Sequence, residues 1–248
     1  MGKKTISLAF ALILLSPVVQ AESVVPTNTA LISQTLIAPP AVSFVEAAAV
    51  TTALPAFPPE LRPPVRQGDI PRTRWQHMEG HALWTRAALS ALKDHGKPLV
   101  DLVPRDIANW CPRYPQASEA ERRAFWVGFM SALAKHESTY KPWAVGGGGK
   151  WYGLLQILPS TARGYKCRVG TGEALKNGAA NLSCAARIMA VTVPRDGVIH
   201  GYKGRKGQGV TADWGPMHSP AKRRDMAGWL KQQSYCKPLD AMRPRARP

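Results

Sequence analysis

One carboxylate stands where an apolar residue is expected. Trp126, Met130 and Leu133 follow one another at spacings of four and three, so they share one face of a helix. Four residues further along, that face reaches Glu137. A carboxylate that continues an apolar stripe is either paired or partly desolvated, and desolvation raises its pKa. An acid still protonated near neutral pH can deliver a proton to a leaving group, the task of a general acid. The competing reading is a stripe that ends one turn earlier, with Glu137 solvated at a fraying helix end. His136 is the neighbour of Glu137 in sequence but lies about 100° away around the helix, which makes it a residue of the core or surface rather than a partner of the acid.

The residues after Glu137 supply the rest of a candidate site. Ser138 comes next, then a turn at Tyr140-Lys141-Pro142, four glycines from Gly146 to Gly149, and Gly153-Leu154-Leu155-Gln156-Ile157-Leu158-Pro159-Ser160-Thr161-Ala162. Ser138 is placed to hydrogen-bond a sugar or to orient Glu137. Gln156 offers a donor and an acceptor, which suits a sugar amide or hydroxyl, and Gly153 lets backbone or ligand come close. Trp143, Trp151 and Tyr152 flank the glycines and present rings that can stack on a sugar. No Gly-Lys-Ser/Thr follows the glycine run, so it is not a phosphate loop; it reads as a flexible lip of a cleft.

Glu-Ser at a helix end, a glycine-rich loop, Gly-Leu-Leu-Gln-Ile and Pro-x-Thr-Ala, in that order, resemble the lytic transglycosylases with a goose-lysozyme-like SLT domain. The resemblance is good over about residues 105–192, weaker to Cys236 and absent before Trp75. It implies a mainly α, lysozyme-like domain; the chain itself reads as having a small β-hairpin near Trp143–Tyr152. It further implies a single acid/base, Glu137, cleaving the bond between N-acetylmuramic acid and N-acetylglucosamine in peptidoglycan, with Gln156 in the cleft. Neither a metal nor an organic cofactor is implied. The family's late Ala-Tyr-Asn motif is missing: Ala212-Asp213-Trp214-Gly215 stands about there, so Tyr202 or Trp214 is expected to substitute. A goose-type hydrolase would need a second acid, for which Asp196 and Asp213 are the candidates. A non-catalytic wall-binding or assembly-associated protein is the alternative of another class.

The chain opens with Lys3 and Lys4, an apolar run from Ile6 to Leu15, and Val19-Gln20-Ala21. This is the pattern of a secretory signal peptide over residues 1–21, which places the mature protein in the periplasm or outside the cell. Residues 22–72, rich in Pro and Ala, read as an extended linker. A lysozyme-like domain over 73–236 and a basic tail over 237–248 follow. Export makes two disulfides the default for Cys111, Cys167, Cys184 and Cys236, whose spacings fit no metal pattern. Of three connectivities, Cys167–Cys184 with Cys111–Cys236 is favoured; the resemblance agrees, since relatives carry a Cys-Pro before the catalytic helix and a late Cys.

Lys and Arg number 33 against 16 Asp and Glu, a formal charge of +17, or +15 once Lys3 and Lys4 leave with the leader. Such a chain is drawn to polyanions: peptidoglycan strands and an anionic wall or membrane surface are the expected partners. Nucleic acid is not expected, and a monomer is. To hold Glu137 and Gln156, the sequence predicts a packing helix from Thr73 to Gly96. The helix bearing the acid runs from Glu119 to about Ser138 behind a Ser118/Glu121 capping box. A short helix covers Pro159–Arg163, a further one Asn177–Val191, and a last one is capped by Ser219. Val193–Asp213, rich in glycine and basic residues, reads as a loop.

Overall fold

The computed structural model describes residues 70–238; the leader, most of the linker and the end of the basic tail lie outside the described residues. Seven α-helices and two small hairpins make up this part: α1 (His81–Lys93), α2 (Lys97–Asp101), α3 (Glu119–Glu137), β1 (Val145–Gly146), β2 (Trp151–Tyr152), α4 (Pro159–Gly164), α5 (Gly172–Leu175), α6 (Gly178–Asp196), β3 (His200–Lys203), β4 (Lys206–Gly209) and α7 (Pro220–Lys231). The architecture is mainly α and lysozyme-like.

Helix α3 is the central element. Ser118 accepts from the Glu121 amide while the Glu121 carboxylate accepts from the Ser118 amide, a reciprocal cap that fixes the helix start. Every residue from Ala124 to Ala134 is buried, because helices pack on it from several sides: α1 and α2, and α7. Its aromatic residues build one knot. Phe125, Trp126 and Phe129 meet edge to face with Tyr114 and Trp110, and the Trp126 indole donates to the Tyr114 hydroxyl at 2.9 Å. Helix α6 lies along α1 and α2 and is capped by the Asn177 side chain on the Ala180 amide.

Disulfides join Cys111 to Cys236 and Cys167 to Cys184. The first spans 125 residues and ties the entrance of α3 to the end of the domain, a loop worth about 4–5 kcal/mol in the chain-entropy account.

Two expectations are corrected. Thr73 does not start a helix: residues 74–80 form turns, and α1 begins only at His81, after Gly80 at φ 80°. Trp75 still reaches the core, its indole donating to Thr85 Oγ1 at 3.0 Å. The stretch 193–213 is not a loop either. Helix α6 continues through Pro194 to Asp196, and β3 then pairs with β4 with His200 opposite Gly209 and Lys203 opposite Lys206. Gly204 sits in the two-residue turn between them at φ 60°, the backbone a tight hairpin requires.

Candidate functional site

Glu137 is the last residue of α3 and is partly buried. Its carboxyl is pushed up to about 7, chiefly by burial, with the Lys222 ammonium opposing the shift. Among the described residues it forms no hydrogen bond or ion pair. A helix C-terminus also disfavours negative charge, so its place on α3 acts in the same sense as burial. Lys135 and His136 would be expected to lower it. Both are instead turned to Asp225 on α7, at 3.3 and 2.8 Å, and Arg74 binds the same carboxylate at 2.6 Å. These hydrogen bonds, Arg74's first, hold Asp225 far below the usual carboxylate range.

The chain leaves α3 through strained backbone. Thr139 and Tyr140 adopt φ 52° and 63°, and Gln156 adopts 45°. Lys166 is the only other non-glycine residue at positive φ among those described. Such conformations cost about 1–2 kcal/mol each for an L-residue, and here the surroundings enforce them. Leu154 O accepts from Ser138 Oγ at 2.9 Å; Leu155 N donates to Asn181 Oδ1 at 3.0 Å; Leu155 O accepts from the Trp214 indole at 3.0 Å. Asn181 Nδ2 donates to Tyr152 O and Leu175 O at 2.9 and 3.0 Å. Gly153 lies at φ 81°, and a Cβ there would come within 2.1 Å of Leu175 O; only glycine fits.

These contacts revise several expected roles. Ser138 is buried and its one proton goes to Leu154 O, so it joins the end of α3 to the Gly-Leu-Leu-Gln segment rather than facing a sugar or Glu137. Trp214 is buried at 3% exposure, and its indole N–H braces the same segment by donating to Leu155 O. Tyr202 lies exposed on β3, its hydroxyl paired with His218 Nδ1 at 2.9 Å. No hydrogen bond links Tyr202 or Trp214 to Glu137. The Tyr152 hydroxyl donates to Gly149 O at 2.7 Å. Gln156 keeps its amide N–H on Ala144 O and Gly153 O and its Oε1 as an acceptor without a partner among the described residues.

Gln156, Trp151, Trp214 and Asp213 line a small cavity of about 90 Å³. Asp213 remains open to solvent on one side, yet its carboxyl is raised by desolvation against that wall, with Arg195 opposing. Asp196 behaves oppositely: it binds Arg195 and accepts from the Gly209 amide at 2.7 Å, which lowers it. The glycine run is an ordered turn, with the amides of Gly149 and Lys150 both donating to Gly146 O. The Trp151 ring lies where a Gly147 side chain would be. Trp143 and Trp151, at 63% and 44% exposure, leave two indoles beside that turn.

Asn181 escaped the reading of the sequence. Its signal is the same as that of Glu137: Asn181, Ala185 and Ile188 share a buried stripe of α6, and a polar residue on such a stripe must have partners.

Residues 115–197 match the transglycosylase SLT domain family. Among solved structures, DslA (Bd0314) in its wild-type form aligns with a TM-score of 0.61 and 27% identity, covering 67% of this chain and 98% of that one. Two variants of DslA, each with one glutamate changed to glutamine, align with the same TM-score at 27% and 26% identity, covering 66% of this chain and 97% of theirs. No curated protein matches. The chain therefore carries a transglycosylase SLT domain, of a family concerned with peptidoglycan. Glu137, Gln156 and Asn181 fall inside the matched segment, whereas Tyr202 and Trp214 lie beyond it.

Proposed function

We propose that this protein is an exported peptidoglycan lytic transglycosylase in which Glu137 is both acid and base. The observation that carries the reading is a partly buried carboxyl without a partner among the described residues, at the end of the central helix of an SLT domain; burial pushes it up to about 7. Protonated Glu137 gives its proton to the glycosidic oxygen, and the bond from that oxygen to the muramic C1 breaks. The resulting carboxylate then takes the proton of the muramic C6 hydroxyl as O6 bonds to C1, which leaves a 1,6-anhydro product and restores the acid. No water enters, so no second carboxylate has to orient one, and the engagement of Asp196 with Arg195 costs the reaction nothing. Gln156, held at positive φ with Oε1 available, is the residue placed to accept from a sugar N–H or O–H.

Asp213, desolvated beside Gln156, favours a second reading as a goose-type hydrolase. Digestion of purified sacculi by the wild type and Glu137→Gln, with masses of the released muropeptides, tests both. Products one water short of the reducing sugar, absent with the variant, are expected. Reducing-end products alone overturn the transglycosylase, and no difference between the two proteins overturns catalysis by Glu137. Periplasmic or secreted localisation after loss of residues 1–21 belongs to the same proposal and is checked by the mass of the exported protein.

A further inference from the structure

The hairpin of β3 and β4 carries charge that the fold leaves uncompensated. No Asp or Glu occurs from residue 197 to 212, and the two acids bounding that stretch are engaged elsewhere. Asp196 binds Arg195 and accepts from the Gly209 amide at the base of the hairpin, while Asp213 lines the cavity with Gln156. At the tip Lys203 stands directly opposite Lys206, with Gly204 and Arg205 as the turn between them. Residues 202–206 are all exposed. Among the described residues, Lys203, Arg205 and Lys206 form no hydrogen bond or ion pair. Like charges placed directly opposite destabilise a ribbon. One lysine is enough to keep a strand edge from pairing with another chain; three cations at the turn exceed that need.

The tip is also held in place. The Asp106 carboxylate accepts from the amides of Ile199 and His200 at 2.8 and 2.9 Å, and His200 Nδ1 lies 2.8 Å from Thr211 Oγ1. Gly209 adopts φ 60°, where a Cβ would come within 2.1 Å of Val198 O. Further out, the Tyr202 hydroxyl is tied to His218, which leaves the ring 46% exposed next to the cations. The hairpin is therefore a fixed, convex projection. A polymer strand is gripped in a groove, whereas a convex cationic tip fits a flat anionic surface. An exposed tyrosine beside basic residues suits the headgroup level of a bilayer, where amphipathic rings collect.

We infer that this tip docks the protein on an anionic lipid bilayer, with Lys203, Arg205 and Lys206 on lipid phosphates and Tyr202 among the headgroups. Among the described residues no helix is long and apolar enough to cross a membrane; the contact made by the tip is peripheral and reversible. Each basic residue near such a surface contributes about fivefold to partition, and the attraction falls off within a Debye length.

The test is sedimentation of the full mature protein with vesicles of phosphatidylglycerol and phosphatidylcholine, and with vesicles of phosphatidylcholine alone. Binding to the anionic vesicles only, released by raised salt, is expected. Lys203→Gln with Arg205→Gln and Lys206→Gln should weaken it about a hundredfold. The melting temperature should be unchanged or higher, since a like-charge pair is lost. Neutralising three exposed cations elsewhere, Arg86, Lys93 and Arg168, should weaken binding far less. An equal loss in the two triple variants would make net charge responsible rather than the tip, and overturns the proposal. Equal binding to uncharged vesicles overturns it too. So does a tip variant that keeps its vesicle binding while losing its binding to lipid-free sacculi, which assigns the tip to the wall polymer. None of these measurements involves the chemistry of Glu137, so this proposal and the enzyme reading fail separately.

Discussion

Glu137 and Asp225 are carboxylates in the same neighbourhood, one closing α3 and the other on the helix packed against it, and their environments drive them apart. Glu137 loses water and gains no partner, so burial lifts it to about 7. Asp225 keeps more solvent and receives Arg74, Lys135 and His136, so it stays ionised at any ordinary pH. The contrast shows how an acid can hold its proton beside two basic residues. Lys135 and His136 are close to Glu137 in sequence, but α7 supplies a counter-ion that turns their charge elsewhere. Asp225 thus takes up the charge of Lys135 while burial keeps Glu137 neutral, and the ion cluster doubles as the clasp between the first described residues, α3 and α7.

Removing the unpaired member gives the largest effect. Glu137→Gln should lower turnover of sacculi by about 10²–10⁴-fold, the usual worth of a general acid. It should also raise stability, because an acid whose folded pKa exceeds its unfolded value favours the folded state fully at low pH and loses that advantage as pH climbs from about 4.5 to about 7. Urea titrations should therefore show the variant more stable than wild type by about 3 kcal/mol at pH 8 and equal to it at pH 4. An equal gain at both values would mean that the carboxyl is not desolvated in the folded protein.

Breaking the paired member comes next. Asp225→Asn frees the cations of Arg74 and Lys135 and takes away the hydrogen-bond partner of His136, whose pKa burial holds below its ordinary value, and should destabilise the fold by about 1–3 kcal/mol at neutral pH after allowance for screening. The pH dependence of this group is opposite in sign to that of Glu137. Asp225 is depressed, so its contribution is present above the unfolded value of 3.8 and fades as pH falls below it; wild type and variant should converge in acid. Freed Lys135 should also draw the Glu137 pKa down. The alkaline limb of the pH–activity curve, set by loss of the Glu137 proton, should then move below 7. A limb that stays in place would show that the cluster is a clasp only.

Much of this arrangement was legible from residue order. The apolar stripe marked Glu137 as out of place, the Ser118/Glu121 box fixed the start of its helix, and the motif order carried the family. Contacts made across the fold were not legible. Asp225 lies about ninety positions from Lys135 and His136 and 151 from Arg74, and Asn181 twenty-six from the Leu155 amide it satisfies. The Ser138 hydroxyl suits a sugar and Trp214 stands near the place of the missing tyrosine, yet each meets a backbone carbonyl of the Gly-Leu-Leu-Gln segment. A polar group near a site serves first the buried backbone beside it, and sequence spacing does not reveal which carbonyl that is.

The same support makes a smaller prediction. Ser138→Ala leaves Leu154 O without its side-chain donor in a buried place, at a cost of about 1–2 kcal/mol. Because that bond fixes the Gly-Leu-Leu-Gln segment against the end of α3, affinity for glycan should weaken more than the chemical step. A rise in KM for soluble glycan strands with little change in kcat is expected; a fall in kcat alone would return Ser138 to the reacting groups.

The smallest effect isolates the one charge that still acts on Glu137. Lys222 lowers its pKa across a partly solvated gap, where screening by salt is strong. Lys222→Ala should therefore shift the alkaline limb upward, opposite in sign to Asp225→Asn, and by less. The shift should vanish at high ionic strength, since an interaction between separated charges is screened while burial is not. If the two variants moved the limb in the same direction, Asp225 would not be what keeps the charge of Lys135 from Glu137.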